Sequence, residues 1–249
     1  MDILIFSGQS NMQGQTECAD DSPCVKNALE YRFLPDELIP LRNPVGEDIG
    51  ELLLRSHLGN GSLVPSFVRT YLAMAGGTVV AVHAAKGATV AEEWLKGSER
   101  GAQRYAKTVE KVQAALKKCK DIKKKYFVWL QGESDALAGT SATDYKARLI
   151  RLKDDLKRDL GIDKFMMIEV GYFATWQGKR ACDEEIQRAQ ESLCREDNDF
   201  LLLTDVTKKL SLDENYLNPQ AEGHYTNAGM ELIGTAAGSA AGAYRITDR

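Results

Sequence analysis

Five short apolar runs restrict what this chain can fold into: residues 2–8 (DILIFSG), 77–85 (GTVVAVHAA), 126–132 (YFVWLQG), 164–171 (KFMMIEVG) and 199–206 (DFLLLTDV). Each is continuous instead of alternating and rich in β-branched or aromatic residues, the pattern of parallel strands covered on both faces. Helical spacings separate them. Tyr105, Val109, Val112 and Leu116 recur at steps of four, three and four, as do Tyr145, Leu149, Leu152 and Leu156. Weaker versions run over 62–75 and 184–195, and a last helix near 227–244 is full of Ala and Gly, small residues expected to let it approach the sheet closely. Strands alternating with helices predict right-handed crossovers and a three-layer α/β/α sandwich around a mainly parallel, five-stranded sheet. With no repeat, linker or low-complexity tract, residues 1–249 read as one domain. The least regular region is 14–60, which holds four of the six prolines and is expected to carry an extra strand around ALEYRFLP and loops that shape a site.

Composition excludes several classes. At 43% hydrophobic and 27% charged residues the chain is neither disordered nor fibrous, and no stretch approaches the roughly 18–20 apolar residues of a membrane span. A net charge of −4, from 32 basic and 36 acidic residues, makes no electrostatic case for nucleic acid or an anionic membrane as partner. The one basic cluster, KKCKDIKKK at 117–125, reads as a solvated helix end. The N-terminus enters a core strand without a basic region or cleavage site, and the five cysteines have no metal-ligand spacing. A cytosolic protein with reduced thiols is the expectation; the alternative is a secreted mature form in which Cys18 and Cys24 close a small loop.

In open α/β sheets ligands bind beyond the carboxyl ends of the strands. After the first run comes Ser10 in a sharp Gly/Ser/Asn turn, GQSNM, which exposes a small hydroxyl. After the second comes AAKGATVAEEW with Gly87, after the third Gln131, Gly132 and Glu133 in WLQGESD, and after the last a loop leading to EGHYTNAG with His224. Singly, these read as a turn or cap, a helix start, a buried hydrogen-bonding amide and a structural histidine. Together they place a nucleophile, a base and several donors at one sheet edge, the set that acyl transfer needs.

The blocks GQSNMQG, KGATVAEEW, WLQGESDA and GHYTNAGMELIG resemble the successive motifs of the SGNH hydrolase superfamily, and within it the sialate O-acetylesterase and family 6 carbohydrate esterase branch. The resemblance extends from residue 3 to about residue 238 and is most specific in GQSNM and WLQGESD. It implies a flavodoxin-like fold and a serine esterase that works through an acetyl-serine intermediate without metal or cofactor, on a small-molecule or oligosaccharide ester. Ser10 would be the nucleophile and His224 its general base, with the N–H groups of Ser10 and Gly87 and the side chain of Gln131 forming the oxyanion hole.

Two positions depart from the family's pattern. The second block reads KGAT, with Ala88 where a second glycine is usual, and Ala221 stands three residues before His224, where the triad acid is usual. Glu222 is the nearest carboxylate and the expected acid; Asp213 or a backbone carbonyl are the alternatives. Asn11, Glu133 and Trp94 are the expected substrate contacts, although Glu133 also reads as a buried partner holding the first turn; Trp94, Trp129 and Trp176 are candidates for a sugar-stacking face against the commoner core reading, which is preferred for Trp129, inside a strand. His83, inside an apolar run, reads as core, and His57 as a surface loop residue. The expected activity is removal of O-acetyl groups from a carbohydrate, either sialic acid or an acetylated xylan-type sugar. An inactive carbohydrate-binding relative and a lipid esterase or thioesterase are the competing readings, and the oligomeric state is left open.

Overall fold

The computed structural model describes every residue except 51, 54, 56, 57, 102 and 249, so the expectation for His57 lies outside the described residues. The strands are β1 (Asp2–Gly8), β2 (Ala28–Arg32), β3 (Glu37–Pro40), β4 (Val79–Ala85), β5 (Lys124–Leu130), β6 (Lys164–Ile168) and β7 (Phe200–Thr204). The helices are α1 (Ser10–Gln13), α2 (Val64–Ala75), α3 (Arg104–Lys118), α4 (Glu133–Ala138), α5 (Ala142–Leu160), α6 (Arg180–Glu196), α7 (Val206–Leu210) and α8 (Asn227–Thr247). The strands form one sheet in the order β3-β2-β4-β1-β5-β6-β7.

The five apolar runs are β1, β4, β5, β6 and β7, and all their pairings are parallel. The expected count of five strands is corrected to seven. β2, inside the ALEYRFLP stretch, joins β4 in parallel, and β3 turns back antiparallel on β2. β3 escapes a sequence reading because it is a four-residue edge strand, partly exposed and ending at Pro40, with no apolar run to mark it.

Both faces of the sheet are covered, as continuous strand burial requires. Ile3, Leu4, Ile5 and Phe6 have no exposed surface. One layer holds α2 and α8 against each other, and the other holds α3, α5 and α6 side by side. The small residues of α8 make their closest approach to α2 and not, as expected, to the sheet. A methyl group added at Gly234 or Gly238 would strike the main-chain oxygens of Leu63 and Phe67, and one at Gly242 would lie 2.7 Å from Met74 Cβ. These glycines recur every fourth residue, on one helix face.

Gly8 ends β1 with φ +141°, where a side chain would run into the main chain of Leu130 at the end of β5. The backbone of β1 can therefore cross the end of its neighbour and turn at once, with Gln9 N–H bonded to Leu130 O at 3.1 Å. That turn delivers Ser10.

Candidate active site

Ser10 is the first residue of α1, where an N–H group has no intrahelical acceptor and stays available. Gly87 lies beside it: a methyl built on Gly87 would come 3.5 Å from Ser10 Cβ and 2.8 Å from Gln13 Oε1. The register explains the placement, since Gly8 pairs with Ala85 and Lys86 N–H bonds Gly8 O at 3.0 Å. Ala88 adopts φ +57°, a left-handed conformation in the position where the family has its second glycine. The substituted block thus keeps the turn, with its cost carried by an alanine.

Gln131 is placed differently from the expectation. Its side chain has no exposed surface, and Nε2 lies 2.6 Å from Asp135 Oδ2, 2.9 Å from Thr89 O and 3.2 Å from Gln9 Oε1. An amide has two hydrogens, so three acceptors leave none for an oxyanion. In this structure Gln131 is a tie between the motif blocks, not a free donor. Asp135 completes the tie by accepting from Ala91 N–H at 2.7 Å and from Arg148 Nη1 at 3.1 Å. Tyr145 and Gln190 donate to Gln131 O at 2.7 and 2.9 Å. Asp135, Arg148, Tyr145 and Gln190 were not legible as site residues. Only the inward Asp in WLQGESD, on the first turn of α4, gives a signal.

His224 joins the site through Asn11, whose Nδ2 donates to Glu133 Oε1 at 2.8 Å and to Gly223 O at 3.2 Å. The residue after Ser10 therefore holds the residue before His224. Asn218, also missed, fixes the same loop: its N–H bonds His224 O at 2.8 Å and its Nδ2 bonds Gln15 O at 2.6 Å. His224 Nδ1 lies 2.9 Å from the main-chain oxygen of Glu222 and 3.3 Å from that of Ala221. Its Nε2 is buried with no hydrogen-bond partner. Burial holds the imidazole pKa below its ordinary value, against the opposing pull of those two carbonyls.

The expected acid is corrected accordingly. Glu222 is exposed and meets the imidazole through its backbone oxygen, and no hydrogen bond joins its carboxylate to the ring among the described residues. Gly223, at φ +72°, turns the chain so that the carbonyl and not the carboxylate faces Nδ1. Asp213 is spent elsewhere, accepting from Asn215 N–H at 3.0 Å and from its Nδ2 at 2.8 Å. Of the alternatives, the backbone carbonyl is the one present.

The expected substrate contacts are also corrected. Asn11 and Glu133 are both 2% exposed and bonded to each other, so they build the turn from inside. Burial pushes the Glu133 carboxyl up to about 7, although Asn11 donates to it. Trp94 is buried beneath the second block, donating from its indole to Thr89 Oγ1 at 3.0 Å and meeting Trp129 edge-on at 5.5 Å. Trp129 is core as well, whereas Trp176 is 51% exposed. His83 is core, with Nε2 3.0 Å from Met12 O and burial lowering its pKa to about 4. Cys18 and Cys24 are exposed free thiols. Among the described residues no group of His, Cys, Asp and Glu is arranged to hold a metal ion, and no helix is long and apolar enough to cross a membrane.

Beside His224 opens a cleft of about 530 Å³ lined by Tyr172, Trp176, Leu217 and Gly223, with Glu214 and Glu222 at its wall. Phe173 links it to the histidine, edge-on to the imidazole at 5.6 Å and to Trp176 at 6.4 Å.

A three-layer sandwich with a serine turn, a glycine turn and a histidine loop at one end of a parallel sheet is the architecture of a serine-type α/β hydrolase. Residues 1–236 match the model of the carbohydrate esterase, sialic acid-specific acetylesterase family, and the chain belongs to that family. Among solved structures it resembles a protein from Arabidopsis thaliana (22% identity, 98% of this chain and 97% of that one, TM-score 0.72). It also resembles NanS (15%, 100% and 98%, 0.69) and a carbohydrate acetylesterase from Xanthomonas citri (14%, 94% and 54%, 0.59). At these identities the likeness is one of fold. A search of curated proteins gives no significant match.

Proposed function

We propose that the protein is a carbohydrate O-acetylesterase in which Ser10 is the nucleophile and His224 the general base. Family membership supports the reaction class. The observation that carries the residue roles is the hydrogen bond from Asn11 to Gly223 O, which ties the serine turn to the histidine loop, together with the unpartnered His224 Nε2.

Ser10 Oγ attacks the acetyl carbonyl carbon while His224 Nε2 takes its proton, since a serine hydroxyl is a poor nucleophile without a base. Negative charge develops on the former carbonyl oxygen, where the N–H groups of Ser10 and Gly87 donate to it. Collapse breaks the bond to the sugar oxygen, which leaves with the proton from His224. Water, deprotonated by the same nitrogen, then attacks the acetyl-serine, and the second collapse breaks the bond to Ser10 Oγ, releasing acetate as His224 returns the proton to the serine. The Glu222 carbonyl accepts from Nδ1–H throughout, which selects the tautomer with Nε2 free and orients the ring. A neutral carbonyl stabilises the imidazolium less than a carboxylate does.

The test is hydrolysis of p-nitrophenyl acetate by wild type and Ser10→Ala. Loss of nearly all activity in a variant that still folds is expected; more than about a tenth of the rate remaining would remove Ser10 from the mechanism.

A further inference from the structure

We infer that Glu133 is a positioning residue held as the carboxylic acid: its proton sits on Oε2 and bonds Asn11 Oδ1, closing a two-bond acid–amide pair that fixes Asn11 against the histidine loop. The inference rests on the reading of His224 as the general base. It adds a residue that acts on that base only through Asn11 and Gly223.

Counting donors and acceptors leads there. Asn11 Nδ2 has two hydrogens, and both have acceptors, Glu133 Oε1 at 2.8 Å and Gly223 O at 3.2 Å. The other oxygen of each group, Asn11 Oδ1 and Glu133 Oε2, is buried with no hydrogen-bond partner. With Glu133 ionised both oxygens can only accept, and buried acceptors left unmatched destabilise the fold. One proton satisfies both. When the N–H on the Oδ1 side of a planar amide donates to one carboxyl oxygen, the two groups lie edge to edge with Oδ1 beside the other carboxyl oxygen, and a hydrogen there makes the second bond. The remaining amide hydrogen is then the one that reaches Gly223 O.

The surroundings offer Oε2 no other donor. From α6 comes Asp183, a like charge that already accepts from Phe173 N–H, Ala174 N–H and Thr175 Oγ1 at 3.1, 2.8 and 3.0 Å. The turn Ala174–Gln177, also packed on α4, and α1 carry no titratable side chain. Tyr145 from α5 and Tyr225 from the histidine loop lie within range of the carboxyl's charge, but their hydroxyls donate to Gln131 O at 2.7 Å and to Thr207 O at 3.2 Å. His224 is not hydrogen-bonded to Glu133, and Asp135, on the same helix, is paired with Arg148. Burial raises the carboxyl to about 7 over the opposing pull of Asn11 and of the N–H groups of Glu133 and Gly132. As pH climbs through that value the Oε2 proton passes to solvent, Oδ1 and Oε2 become facing acceptors, and turning the Asn11 amide to relieve them withdraws its hydrogen from Gly223 O. The histidine loop then loses its tie to the serine turn.

The experiment reads kcat for acetate release from p-nitrophenyl acetate against pH, in wild type and in Glu133→Gln. Glutamine has a permanent N–H where the acid has its proton, so it rebuilds the pair at every pH. Wild type should lose kcat, more than it gains KM, as pH rises through about 7, beyond the rising limb set by His224. Glu133→Gln should stay within about fivefold of wild type at the wild-type optimum and lack that falling limb. A variant whose rate falls with pH alongside wild type, or a folded variant more than about fivefold slower at the optimum, would overturn the inference. Infrared spectra on either side of pH 7, of protein isotope-labelled at its glutamate carboxyls, read the proton without turnover. They are taken on Glu169→Gln, which removes the other glutamate that burial raises to about 7. A carboxylic-acid band present at the lower pH and lost at the higher is expected; its absence would overturn the inference even if Glu133→Gln fails to fold. Because the spectra need no catalysis, Ser10-dependent activity without the band leaves the proposed reaction standing, and the band without such activity counts against the reaction alone.

Discussion

His224 Nδ1 lies 2.9 Å from the main-chain carbonyl oxygen of Glu222, two residues before it. The histidine is thus oriented by a group that no side-chain substitution removes. Glu222→Gln should lower kcat on p-nitrophenyl acetate by less than about threefold. Loss of a true triad carboxylate's charge cost about 10⁴ in a serine protease, so a fall of that size would return the role to the carboxylate.

The pH profile follows from the same environment. General-base catalysis needs the neutral imidazole, and burial lowers the pKa of His224 from the ordinary 6.5. The neutral form therefore persists to lower pH, and kcat/KM should rise with pH through a midpoint below 6.5. A midpoint above that value would mean that a nearby negative charge stabilises the imidazolium, contrary to a carbonyl-held ring.

Gln131→Ala distinguishes a tie from an oxyanion donor. The change strands the buried Asp135 carboxylate and Thr89 O without the amide. It should cost roughly 1–3 kcal/mol of stability, measured by denaturant unfolding. A fully stable variant whose kcat falls about 10²–10³ would instead put the amide in the oxyanion hole.

Glu133 makes stability depend on pH. Its carboxyl is raised by burial from 4.5 to about 7 in the folded protein. A raised folded pKa means that its contribution is fully present below 4.5 and lost as pH climbs through about 7. Glu133→Gln should flatten the decline in melting temperature across that window relative to wild type, and parallel curves for the two proteins would contradict the assignment.

Much of this was readable in the chain. Continuous apolar runs mark the five parallel strands because burial on both faces leaves no polar alternation, and the turns that carry Ser10 and Gly87 directly follow β1 and β4. What escaped had no periodic or compositional trace. β3 is a short, partly exposed edge strand in a proline-rich stretch. The direction of the Glu222 carboxylate depends on one backbone turn at Gly223, and two residues of sequence separation do not say whether a side chain or a carbonyl reaches Nδ1. Gln131 was legible as a buried amide but not as one whose hydrogens were already spent, because Asp135, Thr89 and Gln9 reach it from three separate segments. Trp94 and Trp176 look alike in sequence; only packing separates the buried one from the exposed one.

The acetyl-serine is the step on which the account depends, and it can be caught directly. Wild type mixed with p-nitrophenyl acetate and acid-quenched during turnover should carry one acetyl group on the peptide containing Ser10, and Ser10→Ala should carry none there and turn over negligibly. Acetylation confined to another residue, or sustained turnover by Ser10→Ala, would contradict it.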